Sequence, residues 1–207
     1  MIKYMNAKDL NTEQAILKAA KNVFVMKGME GARMQEIADE AGINKALLHY
    51  YFRSKDKLFE AVFKEALFKL MPNLLDLMKK DLALFEKIKL FVENYINTIN
   101  ENPHIPAFII HELNRNPERV AELIKSTGIN PSFFVNQVYE EIEKGTIEPV
   151  NPFHLIVNML AMCIFPFIAR PILQYIIFNE DPKVYAAFIE QRKKEVSEFV
   201  INAIKKK

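Results

Sequence analysis

A tight turn between two short helical segments constrains this chain more than any other feature. In residues 33–57, RMQEIADEAGINKALLHYYFRSKDK, Ile37 and Ala41 stand four residues apart and give the first segment an apolar face. Gly42 supplies the unhindered backbone on which a helix can end at positive φ. Asn44 is a good N-cap for a second helix that starts directly after it. A connection of about three residues is typical of a helix-turn-helix.

The second helical segment divides into two faces. Leu48, Tyr51 and Phe52 lie three and four residues apart, so we expect them to pack inward. The opposite face carries groups of the kinds that can contact phosphates or base edges in a DNA major groove. Its members are Lys45, Ala46, His49 and Tyr50, with Leu47 at the border. The turn alone also occurs in all-α proteins that never bind DNA, so it indicates DNA binding without establishing it.

The ordered succession around this turn resembles the DNA-binding signature of the TetR family of bacterial transcriptional regulators. The match runs almost position by position through residues 31–59, GARMQEIADEAGINKALLHYYFRSKDKLF, and is strong over roughly residues 12–60. The resemblance implies an N-terminal three-helix helix-turn-helix DNA-binding domain, residues 10–55. It also implies a C-terminal helical ligand-binding and dimerisation domain, residues 56–207.

The resemblance further implies contacts to the DNA backbone from Lys45, Tyr51 and Lys55. Two positions depart from the family pattern. Arg33 stands where Thr or Ser is usual, so a hydroxyl cap is missing, and the arginine either replaces the phosphate contact by charge or points to solvent. Leu47 stands where Thr is common, which removes a polar contact. The candidate DNA-binding residues are Arg33, Gln35, Asn44, Lys45, Ala46, Leu47, His49, Tyr50, Tyr51 and Lys55.

Composition and periodicity predict an all-α fold. The 207 residues suffice for one large or two small domains with a real core. Apolar residues recur at helical spacing along the chain and do not alternate strictly with polar ones. The chain also has only 5 glycines, so few positions interrupt long helices. We expect helices at residues 12–27 (capped by Thr12), 34–41, 45–51, 55–71, 84–101, 105–114, 117–126, 131–144, 152–178 and 183–205.

The charge balance argues against a broad polyanion-binding surface. Formal net charge is only +2, whereas nonspecific nucleic-acid binders are often far more basic. It is compatible with a small basic patch formed by Lys45, Arg53, Lys55 and Lys57.

Cysteine usage and hydropathy indicate a cytoplasmic protein without a membrane segment. Cys163 is the only cysteine, so no intrachain disulfide can form, and we expect it to be buried. The N-terminus lacks the apolar core of a signal peptide. Pro166, Arg170 and Pro171 interrupt the apolar run of residues 153–178, and the uninterrupted part is too short to cross about 30 Å of hydrocarbon.

The last two helical segments are expected to form a homodimer interface. Residues 152–178 are too apolar to stay exposed, and residues 183–205 carry apolar side chains opposite charged ones. The resemblance implies that two such helices from each subunit form a four-helix interface. Two recognition helices about 34–36 Å apart, or a multiple of that distance, read a palindrome. The alternative is that these helices complete a monomeric core.

The middle region, residues 71–165, has the composition of a small-molecule site. It is rich in Met, Phe and Leu with scattered polar groups. The resemblance implies a small hydrophobic or amphipathic effector, although a Met and Phe stripe at helical spacing is more often ordinary core. The candidate pocket residues are Phe91, Tyr95, Phe108, His111, Phe134, Met159 and Met162.

The sequence therefore predicts a DNA-binding transcriptional regulator, most simply a ligand-responsive repressor that acts as a homodimer on a palindromic operator. A ligand-responsive activator and a helical protein-interaction module without DNA contact are the alternatives. An enzyme is disfavoured, because His104 and the pair His111-Glu112 fit no metal or catalytic motif, and HExxH, GxSxG and a phosphate loop are missing. We expect no metal and no cofactor.

Overall fold

A computed structural model describes residues 7–70, 76–77 and 79–206. Eleven α-helices have both ends within these residues, and no named strand lies among them, which confirms the predicted all-α fold. The helices are α1 (Ala7–Gly31), α2 (Met34–Glu40), α3 (Lys45–Tyr51), α4 (Lys55–Leu70), α5 (Leu84–Glu101), α6 (Ile105–Arg115), α7 (Pro117–Ser126), α8 (Ser132–Glu143), α9 (Pro152–Ile168), α10 (Arg170–Ile176) and α11 (Pro182–Ile204).

The helix boundaries differ from the sequence pattern in two places. α1 already includes Ala7, so the prediction that Thr12 caps this helix is wrong. Residues 7–11 contain neither Gly nor Pro, and nothing in them stops the helix from extending. The segment predicted as one helix over residues 152–178 is two helices, because its prolines interrupt the ladder of backbone hydrogen bonds. The predicted end of α4 at Met71 lies outside the described residues.

Close backbone contacts divide the chain into two compact units. The first unit combines the described part of residues 1–68 with residues 107–127, which include most of α6 and all of α7. Its core is aromatic: the Phe59 ring lies 5.1 Å from that of Phe24 and 5.6 Å from that of Phe108, between ring centroids. Phe108 of α6 also lies 5.5 Å from Phe63. The predicted functional division between residues 55 and 56 stays a prediction.

The second unit contains α5, α8, α9, α10 and α11. Apolar residues recur every three or four positions along α5, so this helix buries one face against α9 and α11. Cys163 of α9 is buried, as predicted, and burial raises the pKa of its thiol to about 12.

Side chains of α11 donate hydrogen bonds to the part of α9 where a proline removes a backbone donor. Pro166 has no N–H, so the carbonyl of Met162, four residues earlier, loses its donor within the helix. The Arg192 guanidinium supplies a replacement, with Nη2 donating to the Met162 carbonyl at 3.0 Å. Tyr185 donates its hydroxyl to the Pro166 carbonyl at 3.0 Å, just before α9 ends. These two bonds tie α11 to the weakened turn of α9.

The apolar run of residues 153–178 forms α9 and α10 and leaves many large side chains exposed. Among the described residues, no single helix is both long and apolar enough to cross a membrane. α9 and α10 reach such length and apolarity only as a pair, and the pair bends by 66°. The exposed side chains along this run are Phe153, Val157, Phe165, Ile168, Ile172, Tyr175, Ile176 and Ile177.

Candidate DNA-binding interface

The connection between α2 and α3 has the geometry that the sequence predicts. Gly42 has a φ of 66°, and a Cβ built there would meet no atom of the described residues within 4 Å. The left-handed backbone, rather than lack of space, therefore favours glycine at this position. Asn44 caps α3, because its Oδ1 accepts a hydrogen bond from the Leu47 backbone N–H at 2.8 Å. The cap fixes where α3 begins and hence which side chains it presents.

The two predicted faces of α3 are confirmed by burial. Leu48 is fully buried, Phe52 is buried and Tyr51 is partly buried. The opposite side chains, Lys45, Ala46, His49 and Tyr50, are all exposed, and we call them the reading face. Leu47 is half-buried at its border. The rings of Tyr50 and Tyr51 meet edge to face at 5.4 Å, a contact that orients an otherwise exposed phenol.

The start of α2 compensates for the missing hydroxyl cap at Arg33. The Glu36 carboxylate accepts a hydrogen bond from the Arg33 backbone N–H at 3.4 Å. Lys27 holds Glu36 in place through an ion pair of 3.0 Å and lowers the pKa of this carboxyl below its usual value. The Arg33 side chain remains exposed, while Gln35 donates from its amide to Asp39 Oδ1 at 2.8 Å. Contact of Arg33 and Gln35 with DNA stays a prediction.

Lys55 has a structural role that sequence reasoning missed. Its ammonium donates to the backbone carbonyls of Glu30 at 3.2 Å and Ala32 at 3.1 Å. These carbonyls lie where α1 ends and leads into α2, so a half-buried cation joins the start of α4 to that connection. The phosphate contact implied by the resemblance stays a prediction, and it would have to share this ammonium.

Carboxylates close to the helix-turn-helix in sequence are already engaged by other side chains. A carboxylate facing DNA repels phosphate, and a partner of opposite charge weakens that repulsion. Two partners, Arg115 and Arg119, come from α6 and α7, far away in sequence, and no local pattern could have revealed them. The pairs are Glu30 with Arg115 at 3.2 Å, Asp56 with Arg119 at 3.2 Å and Glu40 with Asn22 at 3.2 Å.

The pair His111-Glu112, considered above as a catalytic group, has packing roles instead. Glu112 is buried, and its carboxylate accepts from the Met29 backbone N–H at 3.4 Å and from the Asn116 amide at 3.3 Å. His111 lies against Gly28, where a Cβ would come within 2.7 Å of the imidazole Nε2. Both residues thus fasten α6 to the end of α1.

The candidate effector-pocket residues fall into two groups. Five of them lie in the second unit, on helices α5, α8 and α9, which pack against one another. The buried ones are Phe91, Tyr95, Phe134 and Met159, and Met162 is partly exposed. Burial raises the pKa of the Tyr95 phenol. Phe108 and His111 make their described contacts within the first unit. The effector role of all seven stays a prediction. A cavity of about 460 Å³ elsewhere in the second unit is lined by none of them.

Comparisons with known proteins agree with this geometry. A family model described as bacterial regulatory proteins, tetR family, matches residues 16–62. The HTH-type transcriptional regulator RutR of Escherichia coli O157:H7 is 31% identical over 149 residues, which are 70% of this chain and 68% of RutR. The HTH-type transcriptional repressor NicS of Pseudomonas putida is 37% identical over 92 residues, 41% of this chain and 42% of NicS.

Similarity to a solved structure extends over nearly the whole chain. The crystal structure of HlyIIR, a hemolysin II transcriptional regulator, superposes with a TM-score of 0.66 and 25% identity, covering 96% of this chain and 99% of HlyIIR. The helix-turn-helix, the helical C-terminal part and these relatives together place the chain in the TetR family of bacterial regulatory proteins.

Proposed function

We propose that the protein is a repressor that binds a palindromic operator as a homodimer and releases it when a small hydrophobic or amphipathic effector binds. Family membership makes the chain a DNA-binding transcription regulator and not an enzyme. The observation that carries the proposal is the reading face, four exposed side chains on a capped helix whose other face is buried. Repression agrees with the role of NicS, which is an HTH-type transcriptional repressor. The protein acts in the cytoplasm, where bacterial DNA is found.

Each member of the reading face has a chemical role in DNA recognition. Lys45 stands at the first position of α3 and contacts a phosphate. Ala46 packs against a thymine methyl group, which an alanine is small enough to approach. His49 and Tyr50 donate hydrogen bonds to phosphate oxygens or base edges. Leu47, in place of the more usual threonine, gives this protein an operator preference of its own.

Homodimer formation covers the exposed apolar side chains of α9. Phe153, Val157, Ala161 and Phe165 are exposed and stand four residues apart, so they lie along one side of the helix. An exposed row of this length on a single chain is typical of an interface. Val184 and Phe199 of α11 are exposed as well. A second copy of the chain brings the same apolar row to a two-fold symmetric contact.

Release from DNA requires an effector with different affinities for two arrangements of the protein. Within the first unit, α6 and α7 are joined to the DNA-binding helices by polar contacts. Arg119 donates to the Asp56 carboxylate at 3.2 Å and to the Asp56 carbonyl at 3.0 Å, and its guanidinium lies 5.0 Å from the Phe59 ring centroid. A shift of α7 therefore moves the start of α4 and, through it, the reading face. A ligand that binds tightly and leaves operator affinity unchanged is not an inducer.

Selection of bound DNA from a random pool tests the DNA-binding part of the proposal. We expect the selected sequences to converge on a palindrome whose half-sites are about one helical turn, or a multiple, apart. Lys45→Ala and Tyr50→Ala should each weaken binding to the selected site at least about tenfold, the loss of about 1.4 kcal/mol. Lys89→Ala, at an exposed position of α5, is the matched control and should bind normally. A pool without sequence preference, or unchanged binding by both variants, contradicts the proposal.

A reporter gene behind the selected operator separates repression from activation. Deleting the regulator should raise transcription if the protein is a repressor. A fall in transcription identifies a ligand-responsive activator that uses the same reading face. Retention of DNA binding in purified protein, in either case, excludes a protein-interaction module without DNA contact.

A further inference from the structure

A polar cavity lies in the second unit between the start of α5 and one side of α8. Its volume is about 460 Å³, which lies within the range of small-molecule sites. Its walls come from residues 79–83 with Lys87 and from α8 with Lys144. Charged and amide side chains predominate, in contrast to the Met and Phe residues of the predicted effector pocket. The lining therefore selects a different kind of ligand.

Lys87 provides a cation in the wall of this cavity. Only 4% of Lys87 is exposed, although lysine is one of the residues that proteins most rarely bury. Burial lowers the pKa of its ammonium, while the negative charge of Asp81 acts in the opposite direction. Asp81 itself is exposed, so solvent screens its attraction. A ligand carboxylate in the cavity would add a negative charge close to the Lys87 ammonium, and this charge would be less screened by solvent than that of Asp81.

Two further features of the cavity favour a ligand that carries both an acceptor and a donor. α5 begins at Leu84 without a side-chain cap on Ala83, so its first backbone N–H groups are suited to an anion. Gln137 of α8 donates its amide to the Leu82 carbonyl at 2.7 Å, whereas its buried Oε1 has no hydrogen-bond partner among the residues that the structure describes. A buried acceptor without a donor is unfavourable. A ligand hydroxyl would satisfy it.

The charges of the lining limit the charge of the ligand. Among the described residues, four lysines and three carboxylates line the cavity, which leaves an excess of one positive charge. Lys144 is already paired with Glu141 at 2.9 Å. Asp81 and Glu140 stand exposed among the lining residues and would repel a ligand with several negative charges. Phe133, about half exposed, adds one aromatic surface to the lining.

We propose that this cavity binds a small 2-hydroxycarboxylate. The ligand carboxylate lies against Lys87 and the N-terminus of α5, and the hydroxyl on the adjacent carbon donates to Gln137 Oε1. An organic substituent on that carbon packs on Phe133. The proposal does not rest on DNA binding by this protein, since the ligand and its contacts belong to the second unit alone.

Isothermal titration calorimetry of the full-length protein without DNA tests this site. Mandelate is the probe, because it combines a carboxylate, an adjacent hydroxyl and a ring. Phenylacetate lacks the hydroxyl, and mandelamide lacks the charge. We expect saturable binding of mandelate at a ratio of one per chain, and affinities at least about tenfold weaker for each of the other two compounds, one lost polar contact each.

Variants locate the binding in the cavity. Lys87→Met should weaken mandelate binding at least about tenfold, and thermal unfolding should show that the variant folds, because an apolar side chain of similar length replaces a buried charge. Lys89→Met, an exposed position on the same helix, is the matched control and should bind like the parent protein. No binding of mandelate, equal binding of the three compounds, or unchanged binding by Lys87→Met overturns the proposal. None of these results bears on operator recognition, which the DNA selection measures.

Discussion

At the scale of single residues, several side chains that the sequence marks for one role also have another. Lys55 is predicted to contact DNA, yet its ammonium also donates to two backbone carbonyls. Glu112, which sequence reasoning considered as a catalytic group, is buried and holds the Met29 N–H. A hydrogen bond to a charged group contributes more than one between neutral groups. Mutational effects at these positions therefore combine folding and function.

Replacing Lys55 by methionine should separate the two roles of this residue. The change removes both hydrogen bonds to the segment where α1 leads into α2, and we expect the free energy of unfolding to fall by about 1–3 kcal/mol. Urea denaturation of the purified variant measures this. Lys57→Met, which removes a lysine that is exposed and paired with Glu60 at 3.1 Å, should cost well under 1 kcal/mol. Equal stability of Lys55→Met and the parent protein would assign Lys55 to phosphate contact alone.

Cys163 should make stability depend on pH at alkaline values. Its pKa is raised from 9.0 to about 12 in the folded protein, so between these values the unfolded chain loses the thiol proton and the folded chain keeps it. The folded state is then disfavoured as the pH rises, by up to about 1.4 kcal/mol per pH unit from this group. Urea denaturation at pH 8, 9 and 10 should show a smaller decline for Cys163→Ala than for the parent protein. Parallel declines would mean that the thiol is not protected.

At the scale of helices, the sequence predicted those features that depend on the local spacing of residues. The faces of α3 followed from spacing, because one side of a short helix must face a core. The break in the segment of residues 152–178 did not follow, since an apolar run with prolines is compatible with one kinked helix or two. The candidate pocket was equally ambiguous, because Phe and Met at helical spacing line cores and cavities alike. The partners Arg115, Arg119 and Arg192 depend on contacts between distant segments.

The hydrogen bond from Arg192 of α11 to α9 predicts an energetic coupling between Arg192 and Pro166. Arg192→Met leaves the Met162 carbonyl without its donor and should lower the free energy of unfolding by about 1–3 kcal/mol. Pro166→Ala restores a backbone N–H that can bond to this carbonyl within the helix. In the double variant the cost of Arg192→Met should fall, which gives a coupling energy of at least about 0.5 kcal/mol in a double-mutant cycle. The Arg192 guanidinium also lies 5.8 Å from the Phe188 ring centroid. Additive effects would show that Arg192 contributes through this contact and not through the bond to Met162.

At the scale of the whole molecule, the exposed apolar row of α9 predicts the assembly. Val157→Asp and Phe165→Asp each place a charge in a surface that the proposed homodimer buries, so both variants should sediment as monomers. A monomer offers one recognition helix, and we expect its affinity for a palindromic operator to fall by at least about a hundredfold. Tyr139→Asp on α8, an exposed side chain that is not a member of this row, is the control and should leave the sedimentation unchanged. Dimers that persist in both α9 variants would contradict this interface.

The aromatic core of the first unit sets a limit on how this regulator can be recombined. Phe108 fills the space beside Phe59 and Phe63, and Arg119 covers Phe59, although both residues belong to the stretch of residues 107–127, outside the helix-turn-helix. A hybrid regulator that takes only residues 1–68 would expose the rings of Phe59 and Phe63 to water and lose their packing partners. Grafting the DNA specificity of this protein onto another sensor therefore requires α6 and α7 as well, so the exchangeable part is discontinuous in sequence.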